Sequence, residues 1–138
     1  MEDFVPFELA KKLKEKGFTC QYPIAMYNEL GSFHALYTSA DHNPNIKSVF
    51  GNREYYDYDD FDDKDCVCPT ISQVLKWLRE EKKIYIMVDR SFSVRGWHYY
   101  IIDNDDFENP IQQEVEHNRC YEQAAIAGIE YVLDNLIK

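Results

Sequence analysis

Two pairs of zinc-type ligands occur in this sequence, and each pair precedes a segment with helical spacing. Cys66 and Cys68 are separated by one residue, and His117 and Cys120 are separated by two. One imidazole and three thiolates form a donor set that structural zinc sites use. The Cys-x-Cys spacing is shorter than the spacing typical of such sites. The sequence therefore favours a protein without a cofactor and leaves zinc as the alternative.

A thiol-dependent enzyme is a second way to use the same residues. Nucleophilic catalysis requires a nucleophile, a base and an orienting group that meet in space. Cys66 or Cys68 would be the nucleophile, and His98 or His117 would be the base. The chain contains no Walker loop, dinucleotide fingerprint or His-Glu-x-x-His motif, and His98 lies in a predicted strand. The sequence therefore favours a non-enzymatic protein, with a small metal- or thiol-dependent enzyme as the alternative.

The cysteines also bear on the cellular compartment. The amino terminus has acids before its basic residues and no apolar signal region, so we expect a cytoplasmic protein with reduced thiols. Cys20 and Cys120 are predicted to be small core side chains. Cys68 stands before a helix, where an exposed thiol would have a lowered pKa and modest reactivity.

A strongly acidic segment precedes Cys66. Residues 54–65 hold seven acids and one lysine, which accounts for more than half of the net charge of −10. The aspartates of this segment considered for binding are Asp57, Asp59, Asp60, Asp62 and Asp63. No register supplies both the glycine and the final glutamate of an EF-hand, so the segment is not predicted to be a calcium loop of that type.

Two interpretations of the acidic segment stay open. Its carboxylates, interleaved with tyrosines, could imitate nucleic-acid phosphates and occupy the basic groove of another protein. Alternatively, the segment is a solvated loop that ends at the cap of a central helix, and it would select a basic partner if it selects any. The pattern favours the solvated loop. The overall negative charge disfavours direct binding to nucleic acid.

A second candidate for binding is the connection between two predicted strands at residues 84–89 and 96–103. It presents Phe92 between Arg90 and Arg95. Apolar side chains flanked by arginine are common in protein interfaces. An equally good interpretation is that Phe92 folds back over the core.

The elements that position these residues follow from hydrophobic spacing and turn residues. Helices are predicted at 6–16, at 70–82 and from residue 119 to the carboxyl terminus, and two further strands are predicted at 20–29 and 33–38. This order indicates an α+β fold in which an antiparallel sheet of about four strands has two or three helices packed mainly on one face. The chain is predicted to be a single domain over residues 1–138, and no apolar run is long enough for a membrane span.

The helices and strands also predict the core. Its members are Trp77, Ile84, Ile86, Val88, Ile101, Val132 and Leu136. Tyr121 belongs to the predicted buried stripe of the last helix, and Gly128 in mid-helix indicates a close approach to the sheet. Tyr85 and Met87 share the opposite strand face with His98 and Tyr100. This face is predicted to be a partly exposed aromatic surface, which is compatible with a homodimer.

Three segments of the chain resemble a known family. They are FVPFELAKKLKEKGF, CPTISQVLKWLREEKKIYI and RCYEQAAIAGIEYVLDNLI. In this order they are similar to small proteins encoded by phages and prophages of Bacteroides-type gut bacteria. The shared residues are packing and capping residues, and the family supplies no catalytic residues. The resemblance therefore implies a phage- or prophage-type accessory protein, which we expect to act by binding a protein partner.

Overall fold

A computed structural model describes residues 3–20, 23–37, 55–57, 63–91, 96–112 and 118–137. Helices and strands are mixed along the chain, so the predicted α+β class is confirmed. Residues 1–70 and residues 71–138 form two compact units. The described strands belong to two sheets, one of four strands and one of three. None of the described helices is long and apolar enough to cross a membrane.

The first unit begins with helix α1, Phe7–Glu15, which buries Leu9, Ala10 and Leu13. The helix stops where the sequence predicts, at Gly17, whose φ of 85° lies in the left-handed region. The Phe18 N–H donates to the Leu13 carbonyl at 2.9 Å, and the Gly17 N–H donates to the Lys14 carbonyl at 3.1 Å. These two bonds form a Schellman motif, which satisfies the last carbonyls of the helix.

Strands β1 (Ala25–Tyr27) and β2 (Phe33–Tyr37) form the predicted antiparallel hairpin, in which Ala25 faces Ala35. The Asn28 side chain closes its turn by accepting from the Leu30 and Ser32 N–H groups, each at 2.9 Å. This arrangement explains why the chain reverses here, since asparagine side chains commonly bond to the backbone that follows them.

The other two strands of the first sheet flank this hairpin. Strand β3 (Tyr55–Asp57) pairs with β2 in parallel, and strand β4 (Cys66–Val67) pairs with β1. The prediction of a loop throughout residues 54–65 is therefore wrong at β3. Aromatic residues favour extended backbone, and two adjacent tyrosines outweigh the turn preference of the aspartates around them.

The second unit opens with helix α2, Ile71–Trp77, which continues into a π-helical turn at Leu78–Lys82. Strands β5 (Ile84–Ser91) and β6 (Gly96–Asp103) pair in antiparallel from Ile84 opposite Asp103 to Ser91 opposite Gly96. Strand β7, Ile111–Gln112, adds to the far side of β6. A short 3-10 turn at Asn104–Asp106 follows β6, and helix α3, Tyr121–Asn135, closes the unit.

Helix α3 packs against one face of the second sheet, which we call the inner face. A Cβ added to Gly128 would lie 3.0 Å from Ile86 Cγ2 and 3.2 Å from Tyr99 Cγ. This distance confirms that the mid-helix glycine marks a close approach to the sheet. Helix α2 in turn contacts α3, so both helices of this unit belong to one core.

The core of the second unit matches the prediction in part. The side chains buried as predicted are Trp77, Ile84, Ile101 and Val132. Three others are only half-buried: Ile86 and Val88, which lie in the edge strand β5, and Leu136. Leu136 follows the last residue of α3, where the helical spacing ends, and Leu133 is buried instead. Tyr121 was predicted to be buried but is 40% exposed, because it is the first residue of α3.

Candidate binding surface

The second face of the β5-β6-β7 sheet carries an aromatic and apolar patch, which we call the outer face. Residues directly opposite each other in an antiparallel pair share one face of the sheet. The register places Tyr85 opposite Ile102, Met87 opposite Tyr100 and Asp89 opposite His98. Gln112 of β7 lies opposite Tyr100 and extends the same face. The predicted grouping of Tyr85, Met87, His98 and Tyr100 is confirmed.

The aromatic and thioether side chains of the outer face are accessible. Tyr85 is 40% exposed and Met87 is 49% exposed, whereas Tyr100 and His98 are half-buried. His98 Nε2 lies 2.9 Å from the Tyr100 hydroxyl oxygen, and the two rings meet edge to face with centroids 4.9 Å apart. This contact holds both rings in place, so the centre of the outer face is pre-organised.

Exposed acidic groups lie on the outer face and in the turn that follows β6. Asp89 is exposed on the face itself, opposite His98. Beyond the pair of Tyr85 and Ile102, the turn after β6 exposes Asp105, Asp106 and Glu108. The Asp103 carboxylate accepts from the Asp105 N–H at 3.0 Å and fixes this turn. A patch of exposed tyrosine and methionine between carboxylates is suited to a basic partner.

The predicted arginine loop is only partly described. Arg90 is exposed at the end of β5, and its N–H donates to the Asp89 carboxylate at 3.0 Å. It pairs with Trp97, so it does not share the outer face with Met87. Phe92 and Arg95 lie outside the described residues, and binding by this loop stays a prediction.

Two of the cysteines are buried in the first unit. Cys66 lies in β4, and the Cys68 thiol donates to the Val5 carbonyl at 3.7 Å. Burial raises the pKa of the Cys68 thiol to about 12. It also raises the pKa of Cys66, although the Lys14 ammonium opposes this effect. The low pKa and the reactivity were predicted only for an exposed Cys68, and the buried thiol does not meet that condition, because burial disfavours the charged thiolate.

The described part of the chain does not bring the four proposed zinc ligands together. Cys120 directly precedes α3, and Cys20 follows α1. Both were predicted to be core side chains, and each is half-buried. His117 lies outside the described residues. Among the residues that are described, no three His, Cys, Asp or Glu side chains form a metal-binding group.

The acidic segment is described at its two ends. Asp57 belongs to β3, and Asp63 is exposed, whereas Asp59, Asp60 and Asp62 lie outside the described residues. The Lys14 ammonium donates to the backbone carbonyls of Asp63 and Asp65, the latter at 2.7 Å. This link between the end of the acidic segment and α1 is a contact that the sequence did not predict.

A cleft beside this link is a poor alternative site. It encloses about 160 Å³ and is lined in part by Lys14, Phe18 and Cys66. Pockets for small organic ligands typically enclose roughly 300–1,000 Å³. The Lys14 ammonium at its rim already bonds to two carbonyls. The cleft is therefore less suited to recognition than the outer face.

Sequence reasoning found the aromatic part of the outer face but missed its acidic border. The signal was present as three acids within four residues, Asp105 to Glu108, directly after a well-predicted strand. Comparison with known proteins gives no significant match to any family model, curated protein or solved structure.

Proposed function

We propose that this chain is a non-enzymatic accessory protein of the phage or prophage type, and that it acts by binding another protein through the outer face. The observation that carries the proposal is the exposure of Tyr85 and Met87 side by side on a sheet, at 40% and 49%. Large side chains of this kind are expensive to leave in water, and they gain free energy when a partner covers them.

The composition of the outer face supports protein binding in particular. Tyrosine and methionine are enriched at protein interfaces. Tyrosine loses little conformational entropy on binding, because its side chain has few rotatable bonds. The hydrogen bond between His98 and Tyr100 reduces that cost further, since the central rings are already ordered.

The charge around the outer face supports a basic partner. Exposed carboxylates lie on the outer face, at Asp89, and in the turn that follows β6. Rim charges of one sign steer a partner of the opposite sign and raise the association rate, and salt screens this effect. The net charge of −10 acts in the same direction at longer range.

The phage or prophage setting rests on the sequence resemblance, whose segments include α1, α2 and α3. The resemblance brings no catalytic residues, so we expect an accessory protein that acts on another protein. The setting therefore supports a macromolecular partner rather than a small substrate.

The test is an affinity measurement on a charge-neutralised variant. Asp89→Asn, Asp105→Asn and Glu108→Gln are combined, because all three side chains are exposed and amides preserve their shape. A partner captured by the wild-type chain is identified by mass spectrometry, purified and assayed at low and at physiological salt. We expect a basic protein whose association slows roughly tenfold with this variant at low salt.

A matched control removes the same charge elsewhere in the unit. Glu80→Gln, Glu81→Gln and Glu130→Gln alter exposed acids of the π-helical turn and of α3. This control is expected to bind with wild-type kinetics. Equal slowing by both variants would show that only the net charge matters, and an unaffected first variant would overturn the assignment to the outer face.

A further inference from the structure

Among the strands that the structure describes, β5 lies at one edge of the second sheet. The sheet order is β5-β6-β7, and no described strand pairs with the free side of β5. An antiparallel strand directs alternate backbone N–H and C=O groups away from its one partner. Eight residues, Ile84–Ser91, therefore present a row of backbone groups that is suited to pairing with another strand.

The first five residues of this edge are apolar on both faces. Residues 84–88 read Ile-Tyr-Ile-Met-Val, without the charge or proline that commonly protects an edge strand. Tyr85 and Met87 are exposed on the outer face, and Ile86 and Val88 are only half-buried on the inner face. One added strand would cover apolar surface on both sides of the sheet at once.

We propose that the strand that covers β5 belongs to a second copy of this chain. The two β5 strands pair in antiparallel across a two-fold axis, and the two three-stranded sheets become one continuous sheet of six strands. The outer faces of the two copies then form one surface. This inference depends on the β5 edge and not on the identity of any further partner.

The two-fold axis restricts the register. An axis perpendicular to the sheet carries the outer face of one copy onto the outer face of the other, so one residue must face its own copy. When that residue is Ile86, Tyr85 lies opposite Met87 of the second copy, and Ile84 lies opposite Val88. Every apolar residue of the strand then faces an apolar residue, and Asp89 lies opposite Lys83.

Neighbouring registers fit less well. Centring the pair on Met87 places Tyr85 opposite Asp89 and Ile84 opposite Arg90. Centring it on Tyr85 places Met87 opposite Lys83. Each of these sets a charge against an apolar side chain, so the sequence of β5 is self-complementary only about Ile86.

The oligomeric state and the register are tested separately. Sedimentation equilibrium of the full chain is expected to give a dimer at micromolar concentration. In Ile86→Cys the two new thiols would face each other within disulfide distance, and in Met87→Cys they would lie two residues apart along the strands. Under mild oxidation we expect a covalent dimer from Ile86→Cys, beyond the background of the native thiols, and none from Met87→Cys.

A pair of charge variants tests the same register at exposed positions. Tyr85→Glu with Met87→Glu sets like charges opposite each other, and so does Tyr85→Lys with Met87→Lys. Each protein alone is expected to dimerise at least about tenfold more weakly than the wild type, and their mixture is expected to recover the dimer. Circular dichroism and melting temperatures establish that each variant is folded.

Two results would overturn the proposal. The first is a wild-type chain that stays monomeric at about 100 μM, where even weak specific dimers form. The second is a dimer that cross-links equally from both cysteine variants, or whose dissociation constant is unchanged in the two charge variants. Either result would leave β5 to a strand from a different protein or to no strand at all.

Discussion

At the residue scale, Cys68 shows how position decides chemistry. The residue stands two positions before the end of the first unit, next to the start of α2, where an accessible thiol would be activated. In the fold its side chain is fully buried, and its thiol donates to the Val5 carbonyl at 3.7 Å. A thiolate at this place would lose its hydration without a compensating charge, so the protonated form is strongly favoured.

The raised pKa of Cys68 predicts a loss of stability in alkali. The pKa is about 12 in the fold against 9.0 for an ordinary thiol, so the unfolded chain releases this proton first. The contribution is fully present below about pH 9 and is lost as the pH rises towards 12. Urea unfolding of the wild type at pH 7, 9 and 10.5 should show this decline.

Cys68→Ala is the comparison that isolates the Cys68 contribution. The variant lacks the thiol, so its urea midpoint should fall less between pH 9 and 10.5 than that of the wild type. Identical declines in the two proteins would show that other groups, such as the tyrosines, dominate the alkaline transition. Thiol labelling at pH 8 should also leave Cys68 unmodified while the chain is folded.

Gly128 and Tyr121 show what single residues reveal before a structure is known. A glycine inside a helix is costly, and the reason inferred for it, contact with the sheet, is the one observed against Ile86 and Tyr99. Tyr121 has the same helical spacing as the buried residues, yet it is 40% exposed. Spacing predicts which side of a helix faces the core, but it does not predict how far along the helix the core extends.

At the element scale, two glycines share one backbone conformation but have different surroundings. Gly17 ends α1 and Gly31 lies in the turn between β1 and β2, each with a φ of 85°. A Cβ at Gly17 would meet nothing within 4 Å, whereas a Cβ at Gly31 would lie 2.9 Å from a ring carbon of Phe7. The pair therefore separates backbone strain from crowding.

Replacing each glycine with alanine should reveal this difference. Gly17→Ala is expected to lower the free energy of unfolding by about 1–2 kcal/mol through the left-handed backbone alone. Gly31→Ala should cost roughly 1–3 kcal/mol more, since the added methyl also displaces the Phe7 ring. Urea unfolding measures both variants.

Relief of the crowding provides the control for this comparison. In a Phe7→Ala background the ring atoms that meet Gly31 are absent, so the excess cost of Gly31→Ala should largely disappear. Equal costs for the two glycines in the wild-type background would contradict the geometry of the turn.

The elements themselves were predictable to different extents. The hairpin of β5 and β6 and the helix α3 follow from strong periodic patterns, and their predicted bounds lie within three residues of those observed. Strand β3 was not predicted, because three residues in an acidic context are too short for a pattern, and their extended conformation combines the preference of two tyrosines with pairing to β2. The π-helical turn after Trp77 was missed for a similar reason, since helical spacing does not distinguish it from continued α-helix.

At the scale of the whole molecule, charge and exposed apolar surface point to binding. The formal charge is −10, and the described carboxylates of the second unit include those that border the outer face. Sequence reasoning placed its binding candidates mainly at the acidic segment and the arginine loop, and it described the outer face only as an aromatic surface. What the sequence did not reveal was the strand register. The register brings together side chains of three strands, and no single segment of the sequence encodes it.

The most direct test compares two tyrosines that are equally exposed. Tyr85 on the outer face and Tyr121 at the start of α3 are each 40% exposed. Each is replaced by alanine, and the dissociation constant for the purified protein partner is measured together with the oligomeric state of the variant. We expect Tyr85→Ala to weaken binding at least about tenfold and Tyr121→Ala to change it less than about twofold. Equal effects, or a larger effect at Tyr121, would contradict the assignment of function to the outer face.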